Sequence, residues 1–387
     1  MPYYCGTMSS GEFRQSRPQT YAVITGGGTA GHVYPALAIA ELLIDAGEDR
    51  ASLLFVGSRR GPEVQLVTDA GLRGEWFDVR GIRRSITPVA IMASLKALVL
   101  LAWATISCWS LLRRERPRVV VSVGGYASLP ATLAALFSRT PVVTCSYDLR
   151  PGWATRLQAR WARCAAVAYV PSSLPRAVHT GAPVRRAIRL VADRADSSAM
   201  KAALGFPDSK PLVVVMGGSL GSALLNEIAE TLSTRLDQSA SILHLCGDRY
   251  FDAEMKNEVG SVHGSLRYRR LARASDMAVV YGACDVMVMR GGASSVAEVA
   301  VVGVASVIVP WKDAAEDHQT MNARLLADHG AAIVIAENKG TIDNVVGEVE
   351  RLLVDQSARQ SIARVARELG EIHRHPRLVE AIRGAAA

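Results

Sequence analysis

One unit recurs along this chain and limits what it can fold into: a short β-branched run, a glycine-rich turn, then a helical pattern. Residues 21–25 run into Gly26-Gly27-Gly28, and a helical pattern follows from Pro35 to Ala46. Apolar runs at 53–56, 119–123, 142–144 and 165–170 repeat the theme, with helix-like stretches between them. Such runs suit strands buried on both faces, because nothing in them alternates toward water. Strands and helices in alternation with short links predict a parallel sheet covered by helices on both sides. The theme restarts after Gly181-Ala182-Pro183, with runs at 212–216, 242–245, 285–289 and 305–309. The chain therefore reads as α/β, with two doubly wound halves, and 387 residues are enough for two cores. The expected divisions are a disordered leader at 1–19, an N-terminal domain at 20–180 and a C-terminal domain at 181–387. The last helices are expected to pack back on the first domain. Met8 is an alternative start.

Charge separates the halves. Residues 1–180 carry 20 Lys or Arg against 11 Asp or Glu, whereas the remainder carries 24 against 25. A basic half suits nucleic acid, an anionic membrane or an anionic substrate. No nucleic-acid motif or aromatic interleaving accompanies the charge, so no nucleic-acid partner is expected. Six scattered cysteines lack CxxC or zinc-site spacing, which predicts reduced thiols in a cytosolic protein.

One segment breaks the pattern. Residues 86–112 are almost wholly apolar apart from Lys96, with Arg80, Arg83 and Arg84 before them and Arg113, Arg114, Arg116 and Arg118 after. Length alone would allow a span of about 20 residues. A span there would divide the first sheet, so a helix packed on the sheet is expected. Ile91, Met92, Leu95, Leu98 and Leu101 would then form an exposed edge touching an anionic membrane surface; a plain core helix is the alternative.

Five motifs carry the chemistry. The turn from Gly26 to Gly31 closes on His32, the candidate general base; the bland alternative is a capping or substrate-orienting histidine. Gly124, Gly125 and Tyr126 end another strand and, with Gly28, are candidates for an acceptor diphosphate. The turn from Met216 to Gly221 suits a diphosphate through glycines, the Ser219 hydroxyl and a helix N-terminus. The run from Arg290 to Glu298 ends on a carboxylate that can accept two vicinal hydroxyls, read as an exposed ribose clamp. Amides in the run from Asp317 to Asn322 suit sugar hydroxyls. A cleft between two such domains is the natural site.

In order and spacing these motifs resemble the MurG family, the N-acetylglucosaminyltransferases of peptidoglycan synthesis. The resemblance runs from about Tyr21 to about Ile335 and is strongest in GGGTAGHVYPALAIAELL, VVVSVGGYASLPATLAA, TGAPVRRAI, VVVMGGSLGSALLNE, RGGASSVAEVAVVG and DHQTMNARLLADHGAA. It implies the GT-B fold, two Rossmann-like domains facing across a cleft. It also implies transfer of N-acetylglucosamine from its UDP derivative, with inversion, to the C4 hydroxyl of an undecaprenyl-diphosphate-linked muramyl peptide. Residue by residue, it places Thr29, Ala30 and Gly31 near the donor and His32 as the family's histidine. Arg185 matches an arginine tied to donor binding, and Ser219 a serine at the diphosphate. Ala274 falls at a position that contacts the base. Ala293, Ser294, Ser295, Val296, Ala297 and Glu298 match the nucleoside loop, with Glu298 on the ribose and Gln319 reading the sugar. The protein is expected on the cytoplasmic face of the plasma membrane, peripherally bound. No DxD-type motif ends a strand, so no obligatory metal is expected, with Mg2+ as an optional aid.

The chain departs from the family in two places. Cys145-Ser146-Tyr147-Asp148 stands where the family has His-Glu-Gln-Asn, and Asp148, assigned to the donor side, brings a charge. Ala182 stands where the family has asparagine. These changes fit a paralogue acting on another acceptor. A nucleotide-sugar epimerase of the same build would need a further acid/base set, and an inactive sugar-nucleotide-binding scaffold is the non-enzymatic reading. UDP release with and without lipid acceptor separates them.

Overall fold

The computed structural model describes residues 19–81, 88–194, 196–218, 220–236, 239–252, 258–260 and 266–387. The first domain holds β1 (Ala22–Thr25), β2 (Leu53–Ser58), β3 (Arg73–Phe77), β4 (Val119–Ser122), β5 (Val142–Ser146), β6 (Cys164–Val167) and β7 (Ala177–His179). They lie in the order β3-β2-β1-β4-β5-β6-β7, every pair parallel. The second holds β8 (Leu212–Met216), β9 (Ser241–Leu245), β10 (Glu258–Gly260), β11 (Leu266–Leu271), β12 (Val286–Met289), β13 (Ala305–Ile308) and β14 (Ile333–Val334). Their order is β10-β11-β9-β8-β12-β13-β14, with β10 antiparallel at the edge. Both sheets are doubly wound, and the two-domain GT-B architecture follows.

Every residue of β1, β4, β8 and β12 is buried. Their Val, Ile, Ala and Met side chains are held by helices on both faces, at about 1.5–3 kcal/mol for each large side chain fully removed from water. The strands that the apolar pattern does not mark, β3, β7, β10, β11 and β14, lie at or next to sheet edges. In β3, β7, β14 and the described side chains of β11 one side stays partly wet, and sequences such as RGEWF and LRYRRL suffice.

The apolar segment forms a helix, Pro88–Glu115. Ala97, Ala104, Cys108, Leu111 and Leu112 turn inward, while Met92, Leu95, Leu98, Val99, Trp103 and Ile106 are exposed. Among the described residues it holds the one stretch long and apolar enough to cross a membrane, though it packs against the helix Leu129–Ser138 of the same domain. Leu101 departs from the expected exposed edge: it is only partly exposed and lines a cavity. Arg83, Arg84 and the side chain of Ile91 lie outside the described residues, as does the leader through residue 18. The described cysteines, Cys108, Cys145, Cys164, Cys246 and Cys284, are free thiols.

The chain crosses between domains twice. After β7 it passes through Gly181 and Ala182, and at its end the helix Leu378–Ala386 returns to pack against β4, β5 and β6. Arg377 N–H donates to the Thr180 carbonyl at 2.9 Å, and the Arg383 guanidinium donates to the Ala46 carbonyl at 2.6 Å.

Candidate active site

In a doubly wound sheet the ligand crevice opens where the strand order reverses. Here that is between β1 and β4 in one domain and between β8 and β12 in the other. Four of the glycine motifs fall at those strand ends.

After β1, Thr29 caps the helix Ala30–Asp45 in extended conformation, and its hydroxyl meets His32 Nδ1 at 3.1 Å. The His32 ring sits edge-on to Tyr147, 6.4 Å between centroids. Tyr147 donates its hydroxyl to the Gly31 carbonyl at 3.0 Å and more weakly to that of Val123 at 3.4 Å. One tyrosine thus ties the ends of β4 and β5 to the turn that carries the histidine. Burial disfavours the imidazolium and lowers the His32 pKa from 6.5, with Asp148 opposing the shift. Nε2 has no protein partner among the described residues.

The same turn holds a residue that the sequence reading missed. Glu63, fully buried, opens the helix Glu63–Asp69 and accepts the Gly28 N–H at 3.1 Å and the Ser58 N–H at 3.0 Å on one oxygen. A side chain on Gly27 would collide with this carboxylate. The Gly28 amide, a candidate for an acceptor diphosphate, is therefore already committed. The Gly124 amide is likewise given to the Ser122 hydroxyl at 3.2 Å. Gly125 and Tyr126 line the cavity beside His32, and burial raises the Tyr126 phenol above its ordinary pKa.

Across the cleft, Glu298 differs from the expected exposed clamp. It is 8% exposed, and both oxygens are engaged: Arg185 donates to Oε1 at 3.1 Å and the Tyr281 hydroxyl to Oε2 at 2.8 Å. The site is deeper than expected because Glu298 lies within the helix Ala293–Val302, whose Val296 and Ala297 are core residues. Ser294 and Ser295 are partly exposed, and Ala293 is buried. Arg185 stacks over Tyr34, 4.5 Å from the ring centroid. Burial works most strongly against its charge, but Glu298, Tyr281 and Tyr34 together outweigh it and the pKa rises. Its Nε is buried without a hydrogen-bond partner. Such orphans are rare in folded proteins. Gln319 Oε1 accepts the Trp311 N–H at 3.0 Å. Ala274, half-buried, lies in the loop between β11 and the helix Met277–Ala283. Ser219 lies outside the described residues.

Asp148 is tied to protein through one oxygen and also lines the cavity at the cleft. Asn322, fully buried, donates its amide to Asp148 Oδ1 at 3.0 Å and to the Gly291 carbonyl at 3.3 Å, and accepts the Leu149 N–H at 3.1 Å. Asn322 so fastens the loop after β5 to the second domain.

A cavity of about 700 Å³ opens in the first domain at the cleft. His32, Tyr126, Tyr147, Asp148 and Arg80 line its polar part, Ala97, Leu101 and Leu129 its apolar part, and Trp153 and Glu316 complete the wall. Among the described residues no cluster of three or more His, Cys, Asp or Glu is placed to hold a metal ion.

Comparison with known proteins agrees with this arrangement. Residues 22–167 match the glycosyltransferase family 28 N-terminal domain, and 212–375 its C-terminal domain. A protein of Symbiobacterium thermophilum is 34% identical over 90% of this chain and 91% of its own length. One of Burkholderia vietnamiensis is 35% identical over 81% and 83%. Both are named UDP-N-acetylglucosamine--N-acetylmuramyl-(pentapeptide) pyrophosphoryl-undecaprenol N-acetylglucosamine transferase. The crystal structure of Acinetobacter baumannii MurG superposes with a TM-score of 0.66 at 26% identity, covering 95% of this chain and all of that one. A structure described as a UDP-N-acetylglucosamine 2-epimerase of Listeria monocytogenes scores 0.62 at 12% identity, which shows a shared fold alone. Two domain matches in register, relatives alike along most of their length and a site built at both topological switch points lead to one conclusion: the chain is a glycosyltransferase of family 28 and belongs to its MurG branch.

Proposed function

We propose that this enzyme transfers N-acetylglucosamine from UDP-N-acetylglucosamine to the C4 hydroxyl of a muramyl peptide linked to undecaprenyl diphosphate, at the cytoplasmic face of the plasma membrane. One observation carries the acceptor reading. The cavity that holds His32 is continuous with the inner side of a helix whose outer side is a row of exposed Met, Leu, Val and Trp residues. A polar cavity backed by an exposed apolar surface suits a substrate with a sugar head and a long apolar tail.

His32 serves as general base in the tautomer that donates Nδ1–H to Thr29, leaving the Nε2 lone pair for the acceptor hydroxyl. The proton passes to Nε2 as the hydroxyl oxygen attacks the anomeric carbon and UDP leaves from the opposite face. The lowered pKa keeps the imidazole neutral and ready near pH 7. Arg185 and Glu298 hold the nucleotide, and the unpartnered Arg185 Nε–H is a donor for a ligand oxygen. Arg185, together with the turn and helix N-terminus after β8, meets the charge of the leaving diphosphate. Metal is not obligatory in this scheme, and transfer is expected to continue in EDTA.

The test is transfer of labelled sugar from UDP-N-acetylglucosamine to the muramyl lipid, with UDP release measured beside it. Activity that needs the lipid, and binding to anionic vesicles that weakens as salt screens the basic residues, support the reading. UDP release indifferent to lipid, or protein that floats free of vesicles at low salt, would overturn it.

A further inference from the structure

Glu316 of the second domain reaches across the cleft and takes two guanidinium groups from the first. Arg156 grips it with two parallel bonds, Nη2 to Oε1 at 2.9 Å and Nη1 to Oε2 at 3.2 Å. Arg150 Nε lies 2.9 Å from Oε2. One carboxylate thus sits between two arginines, and these three groups sum to a single positive charge, which a more highly charged anion can claim. All three side chains keep contact with water, which screens the pairs and makes them exchangeable. Glu316 and Asp317 also hold left-handed backbone, with φ of 56° and 54°. Non-glycine residues rarely adopt it, and where it persists it often marks a ligand site.

The location suggests the occupant. Glu316 lines the large cavity, and Arg150 and Arg156 bracket the lining segment that contains Trp153. That cavity is polar at His32 and apolar at Ala97 and Leu101. In the neighbouring glycine turn the Gly28 amide is already spent on Glu63. A carboxylate and a phosphate present similar oxygen pairs to an arginine fork. We propose that Arg150 and Arg156 clamp the diphosphate of the lipid-linked acceptor, and that Glu316 fills the clamp as an internal stand-in until that diphosphate displaces it. The proposal rests on the acceptor reading above.

UDP carries the same diphosphate chemistry, so the test compares two ligands by calorimetry on the full chain: farnesyl diphosphate and UDP. Glu316→Gln is expected to tighten farnesyl diphosphate several-fold, because the competing charge is gone. Arg150→Ala with Arg156→Ala is expected to weaken it roughly tenfold or more. UDP is expected to change little in either. Should the double variant unfold, Arg150→Ala alone, at a half-exposed position, carries the test. Weakening of UDP in place of farnesyl diphosphate would assign the clamp to the donor and overturn the proposal. So would an unchanged farnesyl diphosphate affinity, or a loss of it on Glu316→Gln. If binding follows expectation but the muramyl lipid is not glycosylated, the clamp stands and the acceptor is another isoprenyl diphosphate. If transfer is normal but binding ignores all three residues, the activity stands and the clamp fails.

Discussion

The two glycine turns that open the domains look alike in sequence and differ in what fills them. The turn after β1 closes around a carboxylate of its own: Glu63 takes the Gly28 and Ser58 amides in a fully buried position. The turn after β8 has no such filling where it is described. Gly218, with φ of 82°, has open space on its side-chain face, and Leu220 beside it is 77% exposed. A glycine turn before a helix attracts an anion, but the anion can be internal or foreign. An internal one makes the turn a rigid mount, here for His32. An open one leaves the turn to a ligand.

The comparison can be broken at several points. The largest effect is expected from His32→Ala, which, if His32 is the proposed base, should lower kcat by about 10²–10⁴-fold and leave UDP affinity far less changed. Near-normal turnover with saturating acceptor would make His32 a structural residue. Next comes Glu63→Ala. It orphans a buried N–H at Ser58 and a part-buried one at Gly28, at about 1–3 kcal/mol for the buried one, so denaturant melts should show a loss of that order or somewhat more. Intact stability with weakened ligand binding would mean that the first turn is a ligand site after all. Glu298→Gln should weaken UDP by about 1.5–3 kcal/mol in calorimetry, because the arginine that it orients loses its charged partner. Unchanged affinity in a folded variant would remove Glu298 from the donor site. The smallest effect is in the pH profile. With its pKa lowered from 6.5, His32 remains a base at mildly acidic pH where an exposed histidine would be half protonated. The rate should hold through pH 6.5 and fall only as pH drops through the lower folded value. The unfolded chain takes up that proton first, so the same group's contribution to stability, full above 6.5, is also lost on acidification. A rate already halved at pH 6.5 would place the base elsewhere.

Much of this was legible in the residues. The central strands announce themselves because burial on both faces demands unbroken apolar runs, and glycines mark their ends because only tight turns fit there. Strands at or beside the sheet edges, such as LRYRRL, were missed because half-wet strands carry no such demand. The site was legible where chemistry is local, as in Thr29 with His32, three residues apart. It was not legible where it is assembled by the fold. Glu63 meets Gly28 from 35 residues away and reads in sequence as an ordinary helix-opening glutamate. Arg185 meets Glu298 across 113 residues, and Arg156 meets Glu316 across 160. Nothing periodic connects those positions. Glu298 was expected to be exposed because its place near a helix start is visible in sequence, while the cover supplied by Tyr281 and Arg185 is not.

The double crossing between the domains has a mechanical consequence. At Gly181–Ala182 and again near His373–Arg377 the chain passes from one body to the other, and the two passages are stitched together: Ala182 N–H donates to His373 Nδ1 at 3.0 Å and Arg377 N–H to the Thr180 carbonyl at 2.9 Å. Two tethers joined side by side resist twisting and sliding far more than bending across them. Any opening of the cleft is thereby reduced to rotation about one axis, like a door on paired pins. Burial holds His373 uncharged down to a pKa of about 4, so its accepting nitrogen stays available across the neutral range. The axis is fixed at the back of the cleft, and the contacts of Asn322 and Glu316 are its catch at the front.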